Sequence, residues 1–261
     1  MLKDESVKII GDKEELFNPK IIELLRDDKE YYSGIGRKFL SNSDISTLLN
    51  NPQEYGKSRE DNKAFMDGRY FHQLILEPKK AKETPFVDVS SRNTKEYKNF
   101  CEEKNIPFCM LKKEMEDIER LVSLMKQNIT FFDDIYRDGN EFEVPAIGMI
   151  QGYQWKGKAD ILCNDMIIDL KTTGDIHKFK YSAKAYNYDS QCYIYQMLFQ
   201  RPLVFFVVDK GTGQLGIFKP TENFVRGGEL KVGRALEVHR KYFGESPTDD
   251  IINYYINETL D

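Results

Sequence analysis

The sequence lacks the features of a membrane or secreted protein. It has no run of about 18 apolar residues that could cross a bilayer as a helix. Residues 1–5 show no apolar signal segment, so we expect a cytoplasmic protein of a bacterial host cell. The four cysteines are scattered without C-x-x-C spacing, which argues against a zinc ribbon and against a disulfide scaffold.

A general excess of positive charge is also missing, since the formal net charge is -5. Non-specific binding to nucleic acid depends mainly on lysines and arginines that displace counterions. A nucleic-acid enzyme of this composition therefore needs a local basic surface. Two stretches qualify, although either can equally be a solvated face of a helix or loop. They are residues 91–98, with Arg92 and Lys95, and the segment with Lys178, Lys180 and Lys184.

What the sequence does contain is a well-marked β-hairpin. Residues 155–163 and 166–172 are rich in strand-forming side chains, and the turn-forming pair Asn164 and Asp165 separates them. The second run is apolar enough to be a central strand that is buried on both faces. The pattern therefore predicts two antiparallel strands joined by a two-residue turn.

This hairpin brings two acids and a lysine together. Pairing across the turn places Asp160 opposite Asp169, where Cβ atoms lie about 4.5–5.5 Å apart and like charges are unfavourable unless neutralised. Lys171 lies two residues beyond Asp169, so the pleat returns it to the same face. A divalent cation such as magnesium would neutralise the acids and favour hydrolysis of a phosphodiester. The plain alternative is a solvated face whose acids pair with lysines.

The order of these residues resembles a known family. Asp160 followed by Asp169, Leu170 and Lys171 is similar to the PD-(D/E)xK motif of RecB-like nucleases, and especially of RecE-type phage recombination exonucleases. Further short patterns resemble this group and extend the similarity over about residues 31–210. They are residues 41–45 with Asn51 and Pro52, the G-x-x-x-H pattern from Gly68 to His72, the upstream acid Glu143, and the Q-x-x-x-Y pattern from Gln191 to Tyr195.

The resemblance implies an α/β fold with a restriction-endonuclease-like core, in which helices flank a mixed central β-sheet. We expect a single nuclease domain over residues 1–261, with a core at about 31–210, an N-terminal extension at 1–30 and a C-terminal strand and helix appendage at 211–261. The resemblance also implies a bound Mg²⁺ ion, with Mn²⁺ as a substitute, held by His72, Asp160, Asp169 and the carbonyl of Leu170. Lys171 and Glu143 would complete the catalytic group.

The implied activity is 5′ to 3′ digestion of linear double-stranded DNA ends. This would leave 3′ single strands for a RecT-like annealing partner, and the enzyme would be a homo-oligomeric ring without membrane contact. Residues predicted to contact DNA are Gln191, Tyr195, Tyr188, Arg92, Lys95 and Lys178. Other readings stay open: an endonuclease, a single-strand exonuclease, or an inert module that binds DNA ends. The helix that carries Gln191 could also simply pack its aromatic residues on the sheet.

Hydrophobic periodicity and capping residues predict the surrounding elements. We expect a short helix near residues 19–26, a helix from Ser43 as its cap to Asn50, and a helix over 63–76 that carries His72. Gly68, one turn before His72, would allow a backbone to approach closely. Further helices are predicted at 114–126, 183–200 and 222–243, and strands at 141–149, 203–208 and 215–219.

Overall fold

A computed structural model describes residues 19–57, 62–257 and 259; the predicted absence of a signal at residues 1–5 lies outside them. Its centre is a five-stranded sheet, which confirms the mixed central sheet that the resemblance implied. A separate parallel pair is formed by β1 Phe86–Val87 and β2 Met110–Leu111. The strands of the central sheet are β3 Glu141–Ile150, β4 Tyr153–Leu162, β5 Ile167–Thr173, β6 Leu203–Asp209 and β7 Leu215–Phe218. They lie in this order, with β5 and β6 parallel and the other three neighbouring pairs antiparallel.

Helices cover both faces of the central sheet. They are α1 Pro19–Leu24, α2 Asp28–Tyr32, α3 Asn42–Asn50, α4 Lys63–Leu76, α5 Pro78–Ala81, α6 Lys95–Lys104, α7 Lys112–Gln127, α8 Ile129–Ile135, α9 Phe179–Ala185, α10 Tyr188–Phe199 and α11 Glu222–Phe243. In the part of the chain that the structure describes, none of these helices is long and apolar enough to cross a membrane.

Strand β6 shows why the sheet is buried on both sides. All seven of its residues are buried, and side chains on a strand alternate between the two faces. Val204 and Phe206 pack in the cluster formed by α4, α7 and α8. Phe205 and Val207 pack in the cluster that includes residues of α9 and α10. The apolar run therefore forms a central strand between two helical layers.

Two helix predictions needed correction. Helix α3 begins at Asn42, and its cap is Ser41 rather than Ser43, because the Asp44 carboxylate accepts a hydrogen bond of 2.7 Å from the Ser41 backbone N–H. The predicted helix over 183–200 is two helices, α9 and α10. Asn187 separates them with a left-handed backbone at φ 59°, a conformation that asparagine tolerates. The helices predicted over 63–76 and 222–243 are confirmed at both ends.

The N-terminal helices cover two lysines of β4. Lys156 donates a hydrogen bond to the carbonyl oxygen of Tyr31, and Lys158 Nζ lies 2.8 Å from Asp28 Oδ1. Both ammonium groups also lie over the Tyr31 ring, at 4.2 and 4.7 Å from its centroid. Burial lowers the pKa of Lys156 to about 8. Helix α2, which the sequence pattern did not predict, therefore shields two positive charges beside the central strands.

Candidate active site

The predicted hairpin has the expected register, but its ladder ends at the acids. Ile161 pairs with Ile168, and Leu162 pairs with Ile167. The ladder does not continue to Asp160 and Asp169. Instead, the backbone N–H of Leu170 donates a 2.8 Å hydrogen bond to Asp160 Oδ2. The two strands therefore part where the acids begin, and a carboxylate replaces the next backbone partner.

A second acid faces Asp160 from the other neighbouring strand. Between the pairs Phe142–Ile161 and Val144–Ala159, the register places Glu143 opposite Asp160. Glu143 has φ 50°, a left-handed conformation that costs a residue other than glycine about 1–3 kcal/mol. The strained backbone takes Glu143 out of the ladder at the position where its carboxylate approaches Asp160.

Helix α4 adds a histidine to these acids, in the position that the sequence predicted. His72 Nδ1 lies 3.6 Å from Asp160 Oδ1, and His72 Nε2 lies 2.9 Å from the carbonyl oxygen of Leu170. The reason we gave for Gly68 was wrong. Among the described residues, a Cβ at Gly68 would meet no atom within 4 Å, so their packing does not require a glycine there.

His72, Glu143 and Asp160 form a donor set that fits a hard divalent cation. Each residue offers one ligand atom, and these atoms lie within 4.8 Å of one another. Carboxylate oxygens, with one imidazole nitrogen among them, suit magnesium or manganese. Burial and the nearby charge of Asp160 raise the pKa of Glu143 to about 8. A cation would offset this repulsion, so the electrostatics and the donor atoms agree.

Asp169 stands beside this donor group and has its own partners. Its side chain is 4% exposed, with Oδ2 at 2.5 Å from Lys171 Nζ and Oδ1 accepting a 2.5 Å hydrogen bond from Gln191 Nε2. Within the part of the chain that the structure describes, Asp169 Oδ2 has no further hydrogen-bond partner. Burial raises the pKa of Asp169 to about 6 against the opposing effect of Lys171, and the charge of Asp160 adds to the rise. A role for Asp169 as a metal ligand stays a prediction.

Lys171 is a buried cation fixed between an acid and an aromatic ring. Burial alone would lower its pKa, but the negative charge of Asp169 outweighs burial and raises it above the usual range. The ammonium group lies 4.9 Å from the centroid of the Tyr188 ring. Lys171 therefore keeps its charge in an environment of low polarity, where a positive group acts most strongly on a phosphate.

Two of the predicted DNA-contacting residues have partners inside the fold. Gln191 orients the Asp169 carboxylate, as described above. Tyr195 donates a 3.0 Å hydrogen bond to the carbonyl oxygen of Lys158. A Cβ added at Gly157 would lie only 2.6 Å from an atom of the Tyr195 ring. Glycine at 157 therefore lets α10 approach β4 closely. These contacts make Gln191 and Tyr195 positioning residues, and any contact with DNA stays a prediction.

The basic residues predicted to contact DNA are placed differently from one another. The Arg92 guanidinium makes two hydrogen bonds to Glu114, of 2.9 and 2.5 Å, and lies 4.4 Å from the centroid of the Phe108 ring. Lys95 is exposed at the start of α6. Lys178 is 78% exposed in a 3.2 Å ion pair with Asp175. Arg92 thus holds α7 in place, while the two lysines are available at the surface.

Tyr32 was not predicted as a site residue, although Glu143 and Asp160 of the donor group both act on it electrostatically. Its side chain is 57% exposed. Its pKa is raised to about 12, first by partial burial and then by the negative charges of Asp28, Glu143 and Asp160. No local pattern marked this residue, because its position depends on α2 folding against strands more than 100 residues away.

Comparison with known proteins agrees with this geometry. A family profile described as a PDDEXK-like domain of unknown function (DUF3799) matches residues 38–212. The chain belongs to this family. Membership of a PDDEXK-like family, together with the cluster of acids, histidine and lysine, supports a nuclease. The matched residues 38–212 include helix α4, which carries His72, and the segment from β3 to β6, which carries Glu143, Asp160, Asp169, Lys171 and Gln191.

A solved structure shares the fold. The crystal structure of a protein from Eubacterium rectale, described as a "putative exonuclease", is 17% identical, covers 90% of this chain and 96% of its own, and superposes with a TM-score of 0.59. A structure of SSO0001 is 16% identical over 73% of this chain and 84% of its own, but its TM-score of 0.28 supports no argument. No curated protein matches the chain.

Proposed function

We propose that this protein is a metal-dependent exodeoxyribonuclease that digests linear double-stranded DNA from its ends. The observation that carries the proposal is the donor group of His72, Glu143 and Asp160 beside the buried pair of Asp169 and Lys171. One set of side chains suits a divalent cation, and the other holds a fixed positive charge next to it. Metal-assisted hydrolysis of a phosphodiester can use both features.

The residues of the site have separable tasks in this proposal. His72, Glu143 and Asp160 would hold magnesium, or manganese in its place, which when bound supplies a Lewis acid and a water of lowered pKa. Gln191 fixes the Asp169 carboxylate, and Asp169 in turn fixes the Lys171 ammonium group. Lys171 then donates hydrogen bonds to the water or to the phosphate oxygens on which negative charge develops.

The finer points of the proposal are supported by the resemblance to RecE-type enzymes. These points are 5′ to 3′ polarity, a 3′ single-stranded product, a RecT-like annealing partner and a ring-shaped oligomer. An inert DNA-end-binding module is disfavoured because Asp160, Asp169 and Lys171 are all present and lie together. An endonuclease or a single-strand exonuclease would use the same side chains, so the choice between these activities depends on the substrate.

The test compares three DNA substrates in the presence of magnesium: linear duplex labelled at either 5′ or 3′ ends, closed circular duplex and single strands. We expect release of the 5′ label from linear duplex and no cleavage of circles. Asp160→Asn should lower the rate about 10²–10³-fold, which is the usual loss when one catalytic electrostatic group is removed. Asp165→Asn, in the exposed hairpin turn, is the matched control and should retain the parent rate.

Cation binding is tested separately by thermal unfolding. A ligand at about 100 times its Kd stabilises a folded protein by about 2.7 kcal/mol. We expect magnesium or manganese to raise the Tm of the parent protein and of Asp165→Asn, but not of Asp160→Asn. The proposal is wrong if Asp160→Asn cleaves linear DNA at the parent rate, and cleavage of circles would favour an endonuclease.

A further inference from the structure

The segment that follows β5 carries exposed aromatic and basic side chains. Between residues 176 and 188 there are three lysines and no aspartate or glutamate, although the whole chain has a net charge of -5. Tyr181 and Tyr186 are 70% and 65% exposed. Neither ring belongs to an apolar cluster of the described residues. We call this set the tyrosine–lysine surface; it consists of Lys178, Lys180, Tyr181, Lys184 and Tyr186.

Direct contacts connect this surface to the candidate active site. The Tyr186 and Tyr188 rings lie 5.9 Å apart between centroids, with their planes tilted by 40°. The Tyr188 ring in turn lies 4.9 Å from Lys171 Nζ. An exposed ring is thus separated from the catalytic lysine by one aromatic side chain. A strand that stacks on Tyr186 would therefore lie one side chain away from the candidate active site.

The chemistry of the surface selects one form of nucleic acid. Lysines attract any phosphate backbone, but an exposed aromatic face can stack only on a base whose own face is free. In a duplex the base faces are covered by neighbouring pairs. Lys180 Nζ lies 4.9 Å from the Tyr181 ring centroid, so a positive charge and a stacking surface occur side by side. This combination suits a single strand.

We infer that the tyrosine–lysine surface binds single-stranded DNA next to the active site. The inference rests on the proposed function, because it assigns the surface to the unpaired strand at an end that the enzyme digests. Tyr181 and Tyr186 stack on bases, and Lys178, Lys180 and Lys184 contact the backbone. The exposed side chains leave room for these contacts without rearrangement of the sheet.

The test is fluorescence anisotropy with a labelled 20-nucleotide oligothymidylate in EDTA, where metal-dependent cleavage cannot occur. The double variant Tyr181→Ala, Tyr186→Ala should bind at least about tenfold more weakly, since stacking of one base contributes about 1–3 kcal/mol. The double variant Tyr181→Phe, Tyr186→Phe should retain the parent affinity, because phenylalanine keeps the ring. Lys180→Ala with Lys184→Ala should reduce the slope of log K against log salt by about 1.4, or about 0.7 for each lost phosphate contact.

Matched controls separate specific binding from general surface effects. Tyr255 is 76% exposed, and Lys113 is 75% exposed in a 2.9 Å ion pair that resembles the pair formed by Lys178. Tyr255→Ala and Lys113→Ala should bind the oligonucleotide like the parent protein. Unchanged binding by the tyrosine-to-alanine variant, equal losses in the controls, or a larger loss for blunt duplex than for single strands would each overturn the inference.

Cleavage of duplex DNA in magnesium, measured on the same proteins, distinguishes the two proposals. If the parent protein binds the oligonucleotide through the two tyrosines but cleaves no DNA, the proposed function fails while the surface assignment stands. If the parent protein cleaves linear DNA and the tyrosine-to-alanine variant binds the oligonucleotide unchanged, the surface assignment fails while the nuclease stands.

Discussion

Two buried aspartate–lysine pairs of this protein have nearly the same geometry but different surroundings. Asp169 and Lys171 lie 2.5 Å apart, with side chains that are 4% and 17% exposed. Asp189 and Lys231 lie 2.7 Å apart, with side chains that are 4% and 14% exposed. The first pair belongs to the candidate active site, whereas the second joins α10 to α11. The contact alone therefore does not distinguish catalysis from structure.

The difference lies in the balance of charge around each pair. Asp189 Oδ1 also accepts a 2.9 Å hydrogen bond from the Ser190 backbone, and Lys231 also donates a 2.9 Å bond to the Lys184 carbonyl. The active-site pair instead has two further acids beside it, Glu143 and Asp160. Burial and mutual repulsion raise the pKa of Glu143 to about 8. The site that needs a cation is therefore identified by acidic side chains that outnumber the basic ones, and not by the presence of an aspartate–lysine pair.

The largest expected effect comes from removing the lysine of each pair. Lys171→Met and Lys231→Met both leave a buried carboxylate without its counter-charge, which costs about 3–5 kcal/mol when nothing compensates. Only Lys171→Met should also lower the cleavage rate, by about 10²–10³-fold, because only this lysine is proposed to act on the substrate. Urea unfolding and cleavage of linear DNA by the folded fraction measure the two effects.

The outcome for Lys231→Met decides whether the two pairs differ in function. We expect its cleavage rate per folded molecule to stay within about twofold of the parent, since the Lys231 ammonium group bonds to Asp189 and the Lys184 carbonyl oxygen and not to the candidate site. An equal loss of activity in both variants would contradict the distinction between the pairs.

A smaller effect is expected from the backbone contact that supports the structural pair. A Cβ at Gly228 would lie 2.0 Å from the carbonyl oxygen of Asp189, so Gly228→Ala must push α11 away from α10. We expect a loss of about 3 kcal/mol in the free energy of unfolding, the upper end of the usual range for overpacking. Thermal and urea unfolding provide the measurement.

The neighbouring glycine is a control with the opposite expected sign. A Cβ at Gly227 would be no closer than 3.8 Å to any atom, which is an ordinary contact. Alanine is more favourable than glycine within a helix by about 0.5–1 kcal/mol, so Gly227→Ala should stabilise the protein slightly. Equal destabilisation by both substitutions would show that the contact of Gly228 with Asp189 is not the cause.

A further prediction concerns pH and the acidic side chains of the candidate site. In metal-free protein the pKa of Glu143 is about 8, well above its ordinary value. Its contribution to stability is therefore complete below the unfolded-state pKa of about 4.3 and is lost as pH rises through 8. Between these two pKa values, the free energy of unfolding of the parent protein should fall by up to about 1.4 kcal/mol per pH unit. The free energy of unfolding of Glu143→Gln should fall less.

Urea unfolding in EDTA at pH 6, 7 and 8 measures this slope. Asp189→Asn changes the Asp189–Lys231 pair instead. In this variant the free energy of unfolding should depend on pH between 6 and 8 as it does in the parent protein. If Glu143→Gln keeps the full slope of the parent over this window, another group is responsible and the surplus of acid at Glu143 has been assigned wrongly.

The structural features that were predicted best are those that depend on local sequence patterns. The hairpin register follows from a two-residue turn between strand-forming runs, and the helix over 63–76 follows from its cap and periodicity. The break at Asn187 was missed because neither proline nor glycine marks it. Asparagine in a left-handed conformation leaves no local signal that distinguishes it from a helical asparagine.

Contacts between distant segments could not be predicted in this way. The pairing of Lys158 with Asp28 joins residues 130 positions apart, and the hydrogen bond of Gln191 to Asp169 depends on how α10 packs on β5. The positive φ of Glu143, which helps to direct its carboxylate toward Asp160, has no sequence signature either. That His72, Glu143 and Asp160 lie together was therefore predictable, but the contacts that support them required the folded structure.

The family profile matches fewer residues than those that pack around the central sheet. Tyr31, which covers Lys156 and Lys158, precedes the matched residues 38–212. Val232, Ala235 and Leu236 of α11 follow them and share a core cluster with the fully buried Trp155. A fragment trimmed to the recognisable motif would uncover two ammonium groups and an indole ring. Expression fragments should therefore start before Leu25 and continue beyond Phe243.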